Sequence, residues 1–411
     1  MKIVFHLLFE NDTKYVLWSQ LVTIFFQLFL VFFIGRHFSL EELGNYGIIS
    51  AIVNPLQVLT YMGIGQILIA DDFYNDRQRV YNSIIWFSVA VMIFLSVVFW
   101  VFVYSKNGIT GIFLFALYKG TLNLQNYYHA VYQRSDSLGN LGRSRLISSF
   151  LGLLVFIPIA SFSKSWINGL GAVSVVNLIV LFTFDKKNII NLGYENYSRF
   201  SVKRSDIAEV LALSMPLGLS SIVVSLKSNL PRYLIEYFIG SRSVLGLYTG
   251  AAQFVAVVGV VNQTVIKIII GKLKKTLSAN RELYKVRLMS FVRRSFYVMV
   301  VVNFVVLLIY VITIEILNDI TLKKQGLLIG IGLLIARIFT VPTAYLKLHQ
   351  VFVSRTSYQF RLGVGVFLLH LLFGYLLTIH FGIVGLLTSV VFTEVVLFLL
   401  TYKDVKLFFQ K

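Results

Sequence analysis

The chain has 411 residues, 57% apolar and only 13% charged, with a mean hydropathy of +0.79, whereas a soluble domain carries about 25% charged residues. A water-soluble globular fold is therefore excluded. Zero Cys excludes disulfide frameworks, thiolate nucleophiles and Cys-ligated zinc or iron–sulfur clusters. The 37 Lys and Arg outnumber 18 Asp and Glu, for a net charge of +19, but they lie between long apolar runs, which marks membrane-flanking charge and not a nucleic-acid footprint.

A membrane helix needs about 20 mostly apolar residues to cross about 30 Å of hydrocarbon. In chain order such segments fall near 15–35, 46–70, 83–104, 109–132, 146–162 and 166–184, and, after a polar stretch, near 207–226, 244–270, 295–317, 326–346, 360–380 and 382–402. Each run is too long and too evenly apolar for a soluble amphipathic helix and lacks the ten-residue alternation of barrel strands. The expected fold is an all-α polytopic membrane protein of about twelve spans. The short apolar run Ile3 to Phe9 meets Glu10-Asn11-Asp12 where a cleavable signal would show small residues, so the first span reads as a retained anchor.

Basic residues near span ends stay on the cytoplasmic side. With both termini inside, the inner segments hold 27 Lys and Arg, nine of them in a loop at 267–294, and the outer loops hold eight, Lys227 and Arg232 among them. Only Lys119 and Arg337 then remain inside spans.

The chain also echoes itself. Leu43-Gly44-Asn45-Tyr46 opens the second span and Leu245-Gly246-Leu247-Tyr248 the eighth, 202 residues later. Gly169-Leu170 and Val180-Leu181-Phe182 in span six match Gly385-Leu386 and Val396-Leu397-Phe398 in span twelve, 216 residues on. Two parallel six-helix lobes, 1–184 and 207–411, joined by a cytoplasmic linker at 185–206 and enclosing a central cavity, are expected from this duplication. The outer loops are too short for an external catalytic domain, so function is expected between the lobes, by alternating access.

Two stretches carry a resemblance. Phe33-Ile34-Gly35-Arg36-His37-Phe38-Ser39-Leu40-Glu41-Glu42-Leu43-Gly44-Asn45-Tyr46, leading to Gly63-Ile64-Gly65-Gln66, resembles the start of bacterial O-antigen and capsule flippases of the polysaccharide transporter family. Asn229-Leu230-Pro231-Arg232-Tyr233-Leu234-Ile235-Glu236-Tyr237, running on to Gly246-Leu247-Tyr248, resembles that family's motif across spans seven and eight. The resemblance implies a member of the multidrug, oligosaccharidyl-lipid and polysaccharide exporter superfamily that moves an undecaprenyl diphosphate-linked oligosaccharide across the bacterial cytoplasmic membrane. It implies no enzyme chemistry and no cofactor, possible coupling to H+ or Na+, and as partners the membrane lipids, a polysaccharide polymerase and a chain-length regulator. Unlike distant flippases of lipid-linked peptidoglycan precursors, the first span carries no charge, so that branch's site residues do not transfer.

A charge at membrane depth costs at least about 2.5–3.5 kcal/mol and usually faces a water-filled cavity or a partner. Lys119 and Arg337 are therefore candidate substrate-binding cations, set against snorkelling or a structural ion pair for Lys119 and, for Arg337, bonding to carbonyls freed by Pro342. Lys227 and Arg232 are further candidates, although Arg232 and Glu236, one helical turn apart, equally suit a structural salt bridge. Glu394, alone in span twelve, and His129 are candidate ion-coupling groups, against packed partners and interhelical hydrogen bonds, the reading also given to His370. No His-Glu-x-x-His occurs and Asp71-Asp72 lacks paired sugar-transferase spacing, so no metal site is expected. Gly246-x-x-x-Gly250 and Gly326-x-x-x-Gly330 suit close helix packing. Two rival readings are weighed. A drug or metabolite antiporter would hold buried carboxylates in both lobes, and a membrane-embedded polymerase would show a large outer loop or a His or Asp cluster.

Overall fold

The computed structural model describes residues 11–70, 74–104, 108–193, 203–315, 320–353 and 355–410. These form helices α1 (Asn11–Phe33), α2 (Leu40–Tyr61), α3 (Ile64–Ala70), α4 (Tyr74–Tyr104), α5 (Ile109–Arg134), α6 (Leu138–Ser163), α7 (Trp166–Val180), α8 (Lys186–Asn191), α9 (Arg204–Leu234), α10 (Arg242–Ala279), α11 (Arg281–Glu315), α12 (Ile320–Phe352) and α13 (Thr356–Phe408). Among the described residues there is no strand, as an all-α membrane protein requires. Every expected span falls on a helix, and nine helices among the described residues are long and apolar enough to cross a membrane. One of the nine, within α13, serves two expected spans, because the chain breaks at Gly382, whose φ of 56° and ψ of −133° are not helical.

Three sequence expectations need correction. Lys227 and Arg232 do not lie in an outer loop, because α9 runs unbroken to Leu234. Lys347 likewise sits inside α12, so the cations within helices are more than Lys119 and Arg337. The expected inner loop at 267–294 is two helices meeting at Asn280, whose side-chain oxygen accepts the Leu283 N–H at 2.8 Å and caps the start of α11. Asp71-Asp72, Lys2, Lys106, the 194–202 part of the linker and the side chains of Lys267, Lys272, Lys274, Lys275 and Ser278 lie outside the described residues.

Contacts divide the chain into two compact units, Met1–Leu30 with Ile49–Ser225, and Val31–Ile48 with Leu226–Lys411. The first is centred on Leu68, Tyr81, Ile85, Val131 and Tyr132, the second on Tyr284, Leu288, Leu346 and Val405, all fully buried or nearly so.

The repeat is visible inside the second unit. A single π-helical turn, Ile34–Phe38, precedes the first Leu-Gly motif, and another, Ile235–Ile239, precedes the second. A Cβ on Gly44 would strike the Arg242 carbonyl, and one on Gly246 would strike the Leu40 carbonyl. Each glycine thus meets the residue four positions before its counterpart, which is the reciprocal contact of a pseudo-two-fold axis. Only glycine permits the α2 and α10 backbones to approach so closely.

Candidate functional site

In the first unit, the polar groups line one face of α5. Thr121, Gln125, His129 and Tyr132 follow spacings of four, four and three, so they share a face, which α6, α7 and the turn after α7 cover. Asn177 donates to the Thr121 hydroxyl at 3.3 Å, Gln125 donates to Ser148 at 2.7 Å, and the Tyr132 hydroxyl donates to Asp185 at 3.3 Å. The His129 ring lies 3.0 Å from the Ser144 hydroxyl and accepts from Arg145 at 3.4 Å on its other nitrogen. Both ring nitrogens are therefore engaged in helix packing. Farther up α5, Asn123 accepts from Gln57 of α2 at 2.8 Å. Lys119, one turn beyond Asn123 and half-buried, lies over the Phe115 and Tyr118 rings at 5.6 and 5.9 Å. These buried polar groups are why α5 is less apolar than its neighbours although it lies inside the bundle.

The second unit is built differently. Lys227 of α9 donates to Glu394 of α13 at 2.7 Å, with side-chain exposures of 13% and 15%. Thr340, Lys347 and Arg337 lie within electrostatic reach of the same carboxylate, with the Thr340 hydroxyl donating to the Ala336 carbonyl at 3.0 Å. Arg337, Thr340 and Lys347, the last two three and ten residues after the first on α12, lie within about 80° on one face and spread over about 15 Å of helix. The Arg337 guanidinium occupies a slot over Gly259 that any Cβ there would fill. Its Nε has no hydrogen-bond partner among the described residues, and neither do Glu394 Oε2 and both nitrogens of the adjacent His370. Three cations therefore surround one carboxylate, and among the described residues only Lys227 has a salt bridge to it.

Arg232 lies five residues beyond Lys227 on α9, about 140° around the helix from it. It does not pair with Glu236, as one-turn spacing suggested, but donates to Asn229 at 2.5 Å and faces the repeat tyrosines Tyr46 and Tyr248. The π-helical turn beginning at Ile235 changes the residues per turn and moves Glu236 off the Arg232 face. Glu236 instead pairs with Arg242 at 2.5 Å, and Arg242 also donates to Asn45 at 3.2 Å.

The sequence reading missed Lys347, Arg145, Asp185 and the amides Gln57, Asn123, Gln125 and Asn177 as buried polar groups. The spacing of Thr121, Gln125 and His129 was a readable signal. Lys347 gave none, because it stands only five residues from the helix end and resembles a flanking charge.

Comparison with known proteins places this geometry. The model of the family described as polysaccharide biosynthesis protein matches residues 10–270. The chain belongs to that family. It is 23% identical over 265 residues to the capsular polysaccharide biosynthesis protein CapF of Staphylococcus aureus, a match covering 64% of this chain and 66%, just under two thirds, of that relative. Its fold is similar to that of a multidrug resistance MATE family transporter of the MOP superfamily solved in an inward-facing conformation, with a TM-score of 0.68 at 11% identity over 96% of both chains. The lipid II flippase MurJ in an inward closed conformation is similarly alike, with a TM-score of 0.66 at 11% identity over 96% of this chain and 87% of that one.

Proposed function

We propose that this member of the polysaccharide biosynthesis protein family flips an undecaprenyl diphosphate-linked oligosaccharide from the cytoplasmic to the outer leaflet of the cytoplasmic membrane, by alternating access, for O-antigen or capsule assembly. The observation that carries this reading is the cation surplus among Lys227, Arg337 and Lys347, opposed by Glu394. Unmatched cations inside apolar helices are costly unless an anion visits them. A diphosphate carries about two negative charges that are themselves expensive to desolvate unpaired, so it fits. A row of fixed cations keeps it paired as it moves. Lys119 supplies a cation in the first unit, over the Phe115 and Tyr118 rings. The names of CapF and MurJ, a capsular polysaccharide protein and a lipid II flippase, agree with this substrate class.

The surplus also weighs against the antiporter reading, since a cationic drug would meet positive charge in the second unit. Glu394 has a specific part in this reading. It holds Lys227 while the site is empty, and a proton on Glu394 frees Lys227 to turn to the diphosphate. Sodium suits the position less well, because the Lys227 ammonium already sits at Oε1. A polysaccharide polymerase and chain-length regulator would act on the product.

The test is complementation of a strain lacking this protein. Complete lipid-linked repeat units should accumulate on the cytoplasmic leaflet of the deletion strain and be cleared by the wild-type chain. Drug sensitivity without such accumulation would indicate an antiporter, and unlinked external repeats a polymerase.

A further inference from the structure

At the end of the second unit where the helix termini are rich in Lys and Arg, a groove of about 780 Å³ opens between the start of α11 and the end of α13. That is within the 300–1,000 Å³ range of sites that enclose ligands. Lys285 and Arg293, two turns or about 12 Å apart on α11, border it on either side of Met289, with Glu282 and Ser290 also in the lining, and Phe296, Phe398 and Tyr402 continue its apolar wall. The surrounding charge is one-sided. The first fourteen residues of α11 hold Arg281, Lys285, Arg287, Arg293 and Arg294 against Glu282 alone, and Asp404 of α13 is already paired with Arg355 at 2.6 Å.

Arg281 is spent on the Phe408 carbonyl and ring, whereas Arg293 is exposed and has no ion-pair partner among the described residues. Lys285 has a long contact to Glu282, at 3.8 Å, itself 75% exposed, and its ammonium lies 5.8 Å over the Phe409 ring. Beyond the groove, α11 presents Tyr297, Val301, Phe304, Leu308 and Ile312, each at least half exposed, at helical spacings of three and four. Such a face belongs against acyl chains, so the groove opens sideways into lipid.

We propose that this groove binds an anionic phospholipid of the cytoplasmic leaflet, with its phosphodiester on Lys285 and Arg293 and its acyl chains along Met289, Phe296 and Phe398. Basic pockets between membrane helices on the positively charged side select such headgroups. A second copy of the chain would bring a like-charged end to the same place and is disfavoured. The inference concerns a resident lipid and does not depend on what the protein transports.

The test uses the full-length protein, purified in a neutral detergent and reconstituted in nanodiscs containing equal phosphatidylglycerol and phosphatidylcholine, with retained lipid counted by native mass spectrometry. Phosphatidylglycerol should be retained preferentially, and Lys285→Gln/Arg293→Gln should weaken that preference by about tenfold. Lys186→Gln/Lys187→Gln, which removes two cations from the first unit, should leave it unchanged. Equal retention by the groove variant, or equal loss in the control, overturns the site. Displacement of phosphatidylglycerol by an equimolar polyprenyl diphosphate would also overturn it, by giving the groove to the carrier lipid. Thermal melting of both variants without added lipid confirms that each is folded, and complementation reads the transport activity separately.

Discussion

Glu394→Gln tests the charge balance of the second unit most directly. The Lys227 ammonium and the Glu394 carboxylate are 2.7 Å apart, where an effective dielectric of about 20 gives an attraction of about 6 kcal/mol. Desolvation offsets much of that, but removing one partner of a buried pair still costs about 3–5 kcal/mol, because the other charge is left uncompensated. Here the loss is aggravated, since Arg337 and Lys347 remain and no carboxylate is left among the described residues of the cluster. The thermal midpoint of the purified full-length protein should fall sharply for Glu394→Gln. It should recover by more than half in Lys227→Met/Glu394→Gln, which removes one charge of each sign. The double variant should nevertheless flip substrate poorly, having lost a cation from the row. Additive destabilisation in the double variant, or a wild-type midpoint for Glu394→Gln alone, would refute the argument that this pair neutralises a strained surplus.

Other outcomes can be checked alongside. Lys119→Ala and Arg337→Ala should each strongly reduce surface polysaccharide while membrane protein levels hold, and Lys119→Arg should be milder because charge is kept; full activity of the double alanine variant removes both from the site. Gly259→Leu should mimic Arg337→Ala by filling the guanidinium slot, with reduced export and about 1–3 kcal/mol lost to overpacking, visible as a lowered midpoint. Gly44→Leu and Gly246→Leu should be equally damaging, because each intrudes on a backbone carbonyl; a strong asymmetry in protein accumulation would contradict the reciprocal packing. A Cys introduced at Ser278 of this Cys-free chain should resist an impermeant thiol reagent applied outside intact cells, and labelling there would reverse the orientation. If Glu394 carries a proton, any flipping retained by Glu394→Gln should lose its pH dependence, and an unchanged pH profile excludes that role.

The fold was legible because lipid imposes one rule on every span: the backbone must satisfy itself within a helix, and long apolar runs announce where it does. The break between spans eleven and twelve was legible too, since Gly382 follows a full-length run. Span ends were less so. Positive charge reads as a boundary, yet Lys227 and Arg232 lie inside α9, where Glu394 and Asn229 accept from them. Glu394 is 167 residues away from Lys227 in sequence, and no local pattern connects the two. Arg232 and Glu236 show the converse failure: one-turn spacing implied a pair, and a single π-helical turn separated them.

The two units treat polarity in opposite ways, and this bears on where substrate is held. Along α5 most buried polar side chains bond to a neighbouring helix, although Asn123 Nδ2 and the Asp185 Oδ2 facing this helix have no partner among the described residues, and such networks stiffen a bundle. Around α12 the balance is left open. Arg337 Nε, Glu394 Oε2 and both His370 nitrogens lack partners among the described residues, and positive charge exceeds negative. A helix bundle in lipid gains nothing from an open account of that kind unless something visits to close it. Under the proposed flipping of a lipid-linked diphosphate, the visitor is an anion that must also leave again, and Glu394, at hydrogen-bonding distance from Lys227, is the group placed to compete with it.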